Sequence, residues 1–197
     1  MCIRDSSLTA CGSGDSNNAS TIASITNESS AVSTVNGEVP YTFFDDAVFV
    51  GDSVSLKLNL YVSAQRKNDN AFMGTAQFLT PGSYGTGNEL KELGSDNSVH
   101  PSYNGTEMYL ADAIEAMGAK KVFIMLGMND IAVYGNDGAV KNMETVLAQI
   151  KEKNPDTTIY VQSMTPIVGT AQTGSLTNEN LNTVSYTHLT LPTKRIV

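Results

Sequence analysis

The chain has 197 residues and a formal net charge of -8 from 12 basic and 20 acidic side chains, with two cysteines and two histidines. Its acidity disfavours nucleic acid as a partner, because a negative surface repels a polyanion. Residues 40 to 183, 144 in number, contain no apolar run of the ~20 residues that a membrane-spanning helix needs, and have the size of one domain around a single core.

The two ends are set apart from the rest. Met1-Cys2-Ile3-Arg4-Asp5-Ser6 back-translates onto ATGTGTATAAGAGACAG, and Val184-Ser185-Tyr186-Thr187-His188-Leu189 onto GTCTCTTATACACATCT, the reverse complement of much the same string. Both resemble the transposase end and adaptor of shotgun sequencing libraries. Residues 1–6 and 184–197 are therefore expected to be adaptor-encoded and are excluded from fold reasoning. The remainder has 9 basic and 19 acidic side chains, a net charge of -10, one cysteine, Cys11, and one histidine, His100. Internal disulfides and Cys/His zinc sites are then excluded within it.

Segment 7–39 reads as a tether. Leu8-Thr9-Ala10-Cys11-Gly12 resembles the lipobox of bacterial lipoproteins, in which the cysteine is acylated after signal-peptide cleavage. The tract 12–36 is rich in Ser, Thr and Asn, a composition that buries too little apolar surface to form a core. The expectation is an extracytoplasmic domain, anchored to a bacterial membrane through a lipid on Cys11.

Along 40–183 strand and helix patterns alternate. Residues 47–50 read as a strand, 54–64 as a helix and 76–79 as a short strand, followed by the Gly-rich loop 80–87. A helix is expected at 105–117, a strand at 121–126, a helix at 139–153 and a strand at 158–162, and Leu176 to Leu181 suggests a further helix. Val140, Met143, Val146, Leu147 and Ile150 form one stripe at three- and four-residue spacing, and Asn154-Pro155 ends that helix. Met108, Ala111, Ile114 and Met117 give the 105–117 helix its apolar face, with Gly118 placed for a left-handed cap. Strand and helix in alternation imply a parallel sheet with crossover helices.

Two of those strands end in polar clusters that carry chemistry. Ala47-Val48-Phe49-Val50 runs into Gly51-Asp52-Ser53, and Val122-Phe123-Ile124-Met125-Leu126 runs into Gly127-Met128-Asn129-Asp130. In a parallel sheet both clusters lie on the carboxyl edge, where open α/β sheets place ligands. That edge would bring together a serine nucleophile and an asparagine N–H donor.

These two blocks, about 75 residues apart with a Gly-rich turn between them, resemble the first and third signature blocks of the SGNH (GDSL-type) hydrolases. The resemblance covers most of 43–165. It implies an α/β/α sandwich of flavodoxin-like type and ester hydrolysis through an acyl-serine intermediate, with no metal or organic cofactor. Ser53 would be the nucleophile. The Ser53 N–H, the Gly85 N–H and the Asn129 side chain would form the oxyanion hole, with Gly82 as the second choice for the glycine. Asp130 reads as a brace for the loop and Asp52 as a turn or capping residue.

The family's base and orienting acid come from a D-x-x-H block late in the domain, and residues 165–183 contain none. The domain is accordingly expected to be cut before that block. His188 falls in the adaptor segment and is not counted as catalytic. Asp96-Asn97-Ser98-Val99-His100-Pro101 has one residue too many and the wrong place in the order, so His100 reads as a surface-loop histidine or a substrate contact. Tyr84 and Tyr134, with Tyr103, are loop tyrosines that would contact a sugar ring or acyl group, or form a half-buried rim. The function expected is that of a serine esterase acting on a carbohydrate or lipid ester. The alternative is a binding lipoprotein that keeps the fold without catalysis.

Overall fold

The structure, a computed structural model, describes residues 38 to 190. Cys11, the tract 12–36 and residues 1–6 and 191–197 lie outside the described residues. Four parallel strands form the sheet: β1 (Ala47–Gly51), β2 (Gln77–Leu79), β5 (Lys121–Met125) and β6 (Thr158–Val161), in the order β2-β1-β5-β6. A separate antiparallel hairpin pairs β3 (Ser102–Tyr103) with β4 (Thr106–Glu107). The helices are α1 (Ser53–Gln65), α2 (Thr86–Glu89), α3 (Leu110–Met117), α4 (Met128–Lys153) and α5 (Asn178–Thr190).

The strand order, taken within the sheet alone, is 2-1-3-4, the flavodoxin-like arrangement that the resemblance implies. Right-handed crossovers put α1 on one face and α3 and α4 on the other, because the chain leaves β1 toward one edge and later returns past it toward the other. The result is a three-layer sandwich.

Period-two alternation sends each strand's residues to different layers. Val48, Val50, Val122, Ile124, Ile159 and Val161 join the stripe Met143, Val146, Leu147 and Ile150 of α4 and Leu110, Ala113 and Ile114 of α3. On the opposite face Phe78, Phe49, Phe123 and Tyr160 stand in one register row across all four strands. Their ring centroids are 5.4, 4.8 and 4.6 Å apart in sequence across the row, and Phe43 and Phe44 pack over it.

Three sequence expectations change. The helix expected at 105–117 begins at Leu110, because Asn104 and Gly105 both have positive φ (51° and 80°) and make the two-residue turn of the β3–β4 hairpin. Asn-Gly is the strongest short hairpin signal, and it outweighs the helical spacing of Met108. The helix expected at 139–153 starts at Met128 and is broken at Gly135 (φ 67°, ψ -176°), where the backbone leaves the helical region. The short α2, which starts at the end of the Gly-rich loop, has no counterpart in the pattern. The left-handed cap at Gly118 is present, with φ 64°.

Residues 184 to 190 continue α5, and Val184, Ser185 and His188 are buried there. The Ser185 hydroxyl accepts from Met164 N at 3.0 Å. Among the described residues no helix is long and apolar enough to cross a membrane.

Candidate active site

β1 delivers Ser53 to the carboxyl edge as the first residue of α1, with its side chain exposed. Asp52 is the N-cap: its Oδ1 accepts from Val54 N at 2.8 Å, using one of the orphan donors of the first turn. Burial holds the Asp52 carboxyl above the ordinary carboxylate value, against the pull of the backbone N–H groups it accepts from. Gly51 permits the close approach of α1, since a Cβ there would lie 2.0 Å from Ser55 Oγ. The turn is thus built from residues within four positions of the serine.

β2, the neighbour of β1, leads into the loop 80–85 and then α2. This segment is held from far away in sequence. Asp130, 1 % exposed, accepts from Thr86 N (2.9 Å, Oδ2) and Gly87 N (2.7 Å, Oδ1), and so caps α2. A Cβ on Gly85 would lie 2.9 Å from Asp130 Oδ2, so only glycine lets the carboxylate come this close. Asp130 is therefore the brace the sequence suggests.

β5, on the other side of β1, delivers Asn129, which is half-buried. Its Nδ2 donates to the carbonyl oxygen of Tyr84 at 2.8 Å. A side-chain amide nitrogen carries two N–H groups, and this bond uses one of them. Ser53, Gly85 and Asn129 therefore follow three adjacent parallel strands and share one edge. The Tyr84–Gly85 peptide is trans, so its N–H points away from its carbonyl and hence from the Asn129 amide. Gly85 is buried, whereas Gly82 is exposed with open space around it.

The remaining sequence candidates separate clearly. Tyr84, 0 % exposed, and His100, 4 % exposed, turn inward, which replaces the surface-loop reading of His100 and the rim reading of Tyr84. Both meet Glu89, a buried carboxylate at the end of α2. The Tyr84 hydroxyl donates to Glu89 Oε2 at 2.8 Å, and His100 Nδ1 lies 3.3 Å from the same oxygen. Leu110 N donates to Glu89 Oε1 at 2.6 Å. Burial, and then the Glu89 charge, hold the Tyr84 phenol well above its ordinary value, so it stays a donor. Burial likewise raises the Glu89 carboxyl, opposed by the N–H of Leu110 and the hydroxyl of Tyr84. Sequence reasoning passed over Glu89; its one signal was a carboxylate just beyond the Gly-rich loop.

Tyr134 stays exposed beside the edge, its ring close enough to Gly87 that a Cβ there would clash at 2.2 Å. Arg66 donates to the carbonyls of Phe72, Gly74 and Ala76 at 3.0 Å each, and so orders the connection to β2. His188 is buried on α5 beneath Gly127. Clefts of about 510, 460 and 190 Å³ lie along α3 and α4, between α4 and α5, and at the helix ends; none is lined by Ser53, Gly85 or Asn129. Among the described residues no group of three or more His, Cys, Asp or Glu is arranged to hold a metal ion.

No family model matches the chain, and no curated protein matches it. Solved structures do. A Streptococcus pneumonia protein described as a platelet activating factor is 16% identical with a TM-score of 0.49, over 80% of this chain and 70% of that one. The S10A mutant of an acetyl esterase, with acetate ion, is 14% identical with a TM-score of 0.47, over 77% of each chain. A carbohydrate esterase family 2 enzyme with a carbohydrate-binding domain, from Corynascus thermopiles (Myceliophthora fergusii), is 14% identical with a TM-score of 0.46; this chain spans 55% of it. Likeness at this level leaves the roles of individual residues to the geometry above.

Proposed function

We propose that the domain is a serine ester hydrolase of the SGNH type, acting on a carbohydrate or lipid ester. One observation carries this reading: an exposed serine at a helix N-terminus and a side-chain amide donor follow neighbouring parallel strands onto one edge. Ser53 Oγ attacks the acyl carbon, the ester C–O bond breaks on collapse of the tetrahedral intermediate, and water then releases the acyl group from Ser53. Negative charge on the carbonyl oxygen is met by the Ser53 N–H, at the positive end of α1, and by the second N–H of Asn129. By the resemblance Gly85 N–H is the third donor, on the peptide whose Tyr84 carbonyl holds Asn129 in place. Tyr134 is the exposed ring placed to meet the substrate.

By the same resemblance the proton acceptor for Ser53 belongs to a D-x-x-H block, which residues 165–183 do not contain. The test uses the product of the uninterrupted source gene, hydrolysing p-nitrophenyl acetate. Ser53→Ala is expected to lower kcat/KM by on the order of 10⁴-fold or more. A rate unchanged by Ser53→Ala in a folded protein refutes the reading and favours a binding protein of the same fold. In the chain of 197 residues itself, only a slow Ser53-dependent rate is expected. Attachment to a bacterial membrane through Cys11 is part of the same proposal, supported by Leu8-Thr9-Ala10-Cys11-Gly12 and the polar tract after it. Loss of membrane association in Cys11→Ser, expressed with its own signal peptide, is the expected outcome.

A further inference from the structure

We infer that Glu89 is a positioning residue for the active edge: by holding the hydroxyl of Tyr84 it fixes the carbonyl of Tyr84 that orients the Asn129 carboxamide. This rests on the reading of Asn129 as an oxyanion donor. The path is short and wholly specified. Glu89 Oε2 accepts from the Tyr84 hydroxyl at 2.8 Å, and the Tyr84 carbonyl accepts from Asn129 Nδ2 at 2.8 Å.

Several features make Glu89 a fixed point. It is 3 % exposed and its neighbours use both carboxylate oxygens. Oε1 takes the N–H of Leu110, the first residue of α3, whose own N-cap, Tyr109, supplies no side-chain acceptor. Glu89 thus caps α3 from another element, as Asp130 caps α2. His100 Nδ1 sits 3.3 Å from Oε2 with its ring edge-on to Tyr109, which fixes the carboxylate from a third side. A tyrosine held at both its hydroxyl and its carbonyl has little freedom to tilt. The amide that donates to that carbonyl has one orientation, and its second N–H has one direction.

The alternative is a purely structural carboxylate, which stabilises α3 and leaves Asn129 untouched. Two variants of the ¹⁵N-labelled 197-residue chain distinguish these roles. Tyr84→Phe removes only the hydroxyl link and leaves Leu110 capped; Glu89→Gln keeps the shape and loses one acceptor oxygen. The side-chain NH₂ resonances of Asn129 are compared with those of Asn178, whose Nδ2 donates to Ile167 O at 2.8 Å, a bond that involves neither α2 nor α3. Positioning predicts that both variants shift the Asn129 signals and speed their exchange with solvent, while Asn178 is unmoved. It also predicts a fall in the Ser53-dependent kcat for p-nitrophenyl acetate of on the order of 10- to 100-fold, with KM nearly constant.

Unmoved Asn129 signals in both variants would overturn the inference. If Glu89→Gln loses the Asn178 signals, it has unfolded, and Tyr84→Phe alone decides. A parent chain without any Ser53-dependent hydrolysis would count against the ester-hydrolase reading, and the Asn129 spectra would still decide whether Glu89 positions that amide.

Discussion

The turn that carries Ser53 and the turn that carries Gly85 leave adjacent strands at the same edge, yet they are held by different means. At Ser53 the support is local, with Asp52 capping Val54 N two positions away and Gly51 admitting Ser55. At Gly85 it is remote, coming from Asn129 and Asp130, 44 or 45 positions along the chain, and from Glu89, which is tied to α3. A locally capped turn can form with its helix. The Gly85 turn is held by groups that β5 and α3 bring to it from elsewhere in the chain.

The largest stability effect expected of this difference is at the remote brace. Asp130→Ala leaves the buried N–H groups of Thr86 and Gly87 without their acceptor, at roughly 1–3 kcal/mol each, so a loss of about 3 kcal/mol is expected in denaturant unfolding. Asp52→Ala, by contrast, removes one cap and is expected to cost about 1 kcal/mol. Equal losses would mean that the two turns are held alike.

Gly85→Ala comes next. Its φ of -153° suits any residue, so the cost is steric: the new methyl would lie 2.9 to 3.2 Å from the Asp130 carboxyl and must displace it. About 1–2 kcal/mol of destabilisation is expected. Exchange of the Thr86 and Gly87 amides should speed up while that of Val54 is unchanged, and hydrogen exchange by NMR checks both.

The smallest effect is a pH dependence of stability. Burial holds the carboxyls of Asp52 and Glu89 above their ordinary values of 3.8 and 4.5, so the folded chain retains protons that the unfolded chain releases. Their contribution is fully present below those ordinary values and is lost as the pH rises through the raised ones. Asn is as good a cap as Asp. Asp52→Asn is therefore expected to fold normally and to lose less stability than the parent as the pH rises above the ordinary aspartate value of 3.8. A parallel pair of pH curves would contradict this.

The same contrast explains what the sequence makes legible. Alternating strands, the α4 stripe ending at Asn154-Pro155 and the left-handed Gly118 are local patterns, and each appears in the structure where expected. Gly51-Asp52-Ser53 is equally local, and its serine is found exposed at the head of α1. The Asn104-Gly105 hairpin was also written locally, but the helical spacing of Met108 obscured it. The partnership of Glu89 with Tyr84, His100 and Leu110 has no periodicity to announce it, because it joins three segments that meet only in the folded chain. His100 shows the cost: a histidine in a polar loop reads as exposed, and here a buried carboxylate and an aromatic ring enclose it.

The most direct test of the central claim, that Asn129 serves Ser53 as an oxyanion donor, is the kinetics of Asn129→Ala in the full-length product of its gene. The account predicts a fall in kcat of on the order of 100- to 1000-fold with KM little changed, in a protein whose Val54 amide exchange matches the parent. An unaltered kcat, or a raised KM alone, would contradict it and leave Asn129 as no more than a tie for the Tyr84 carbonyl.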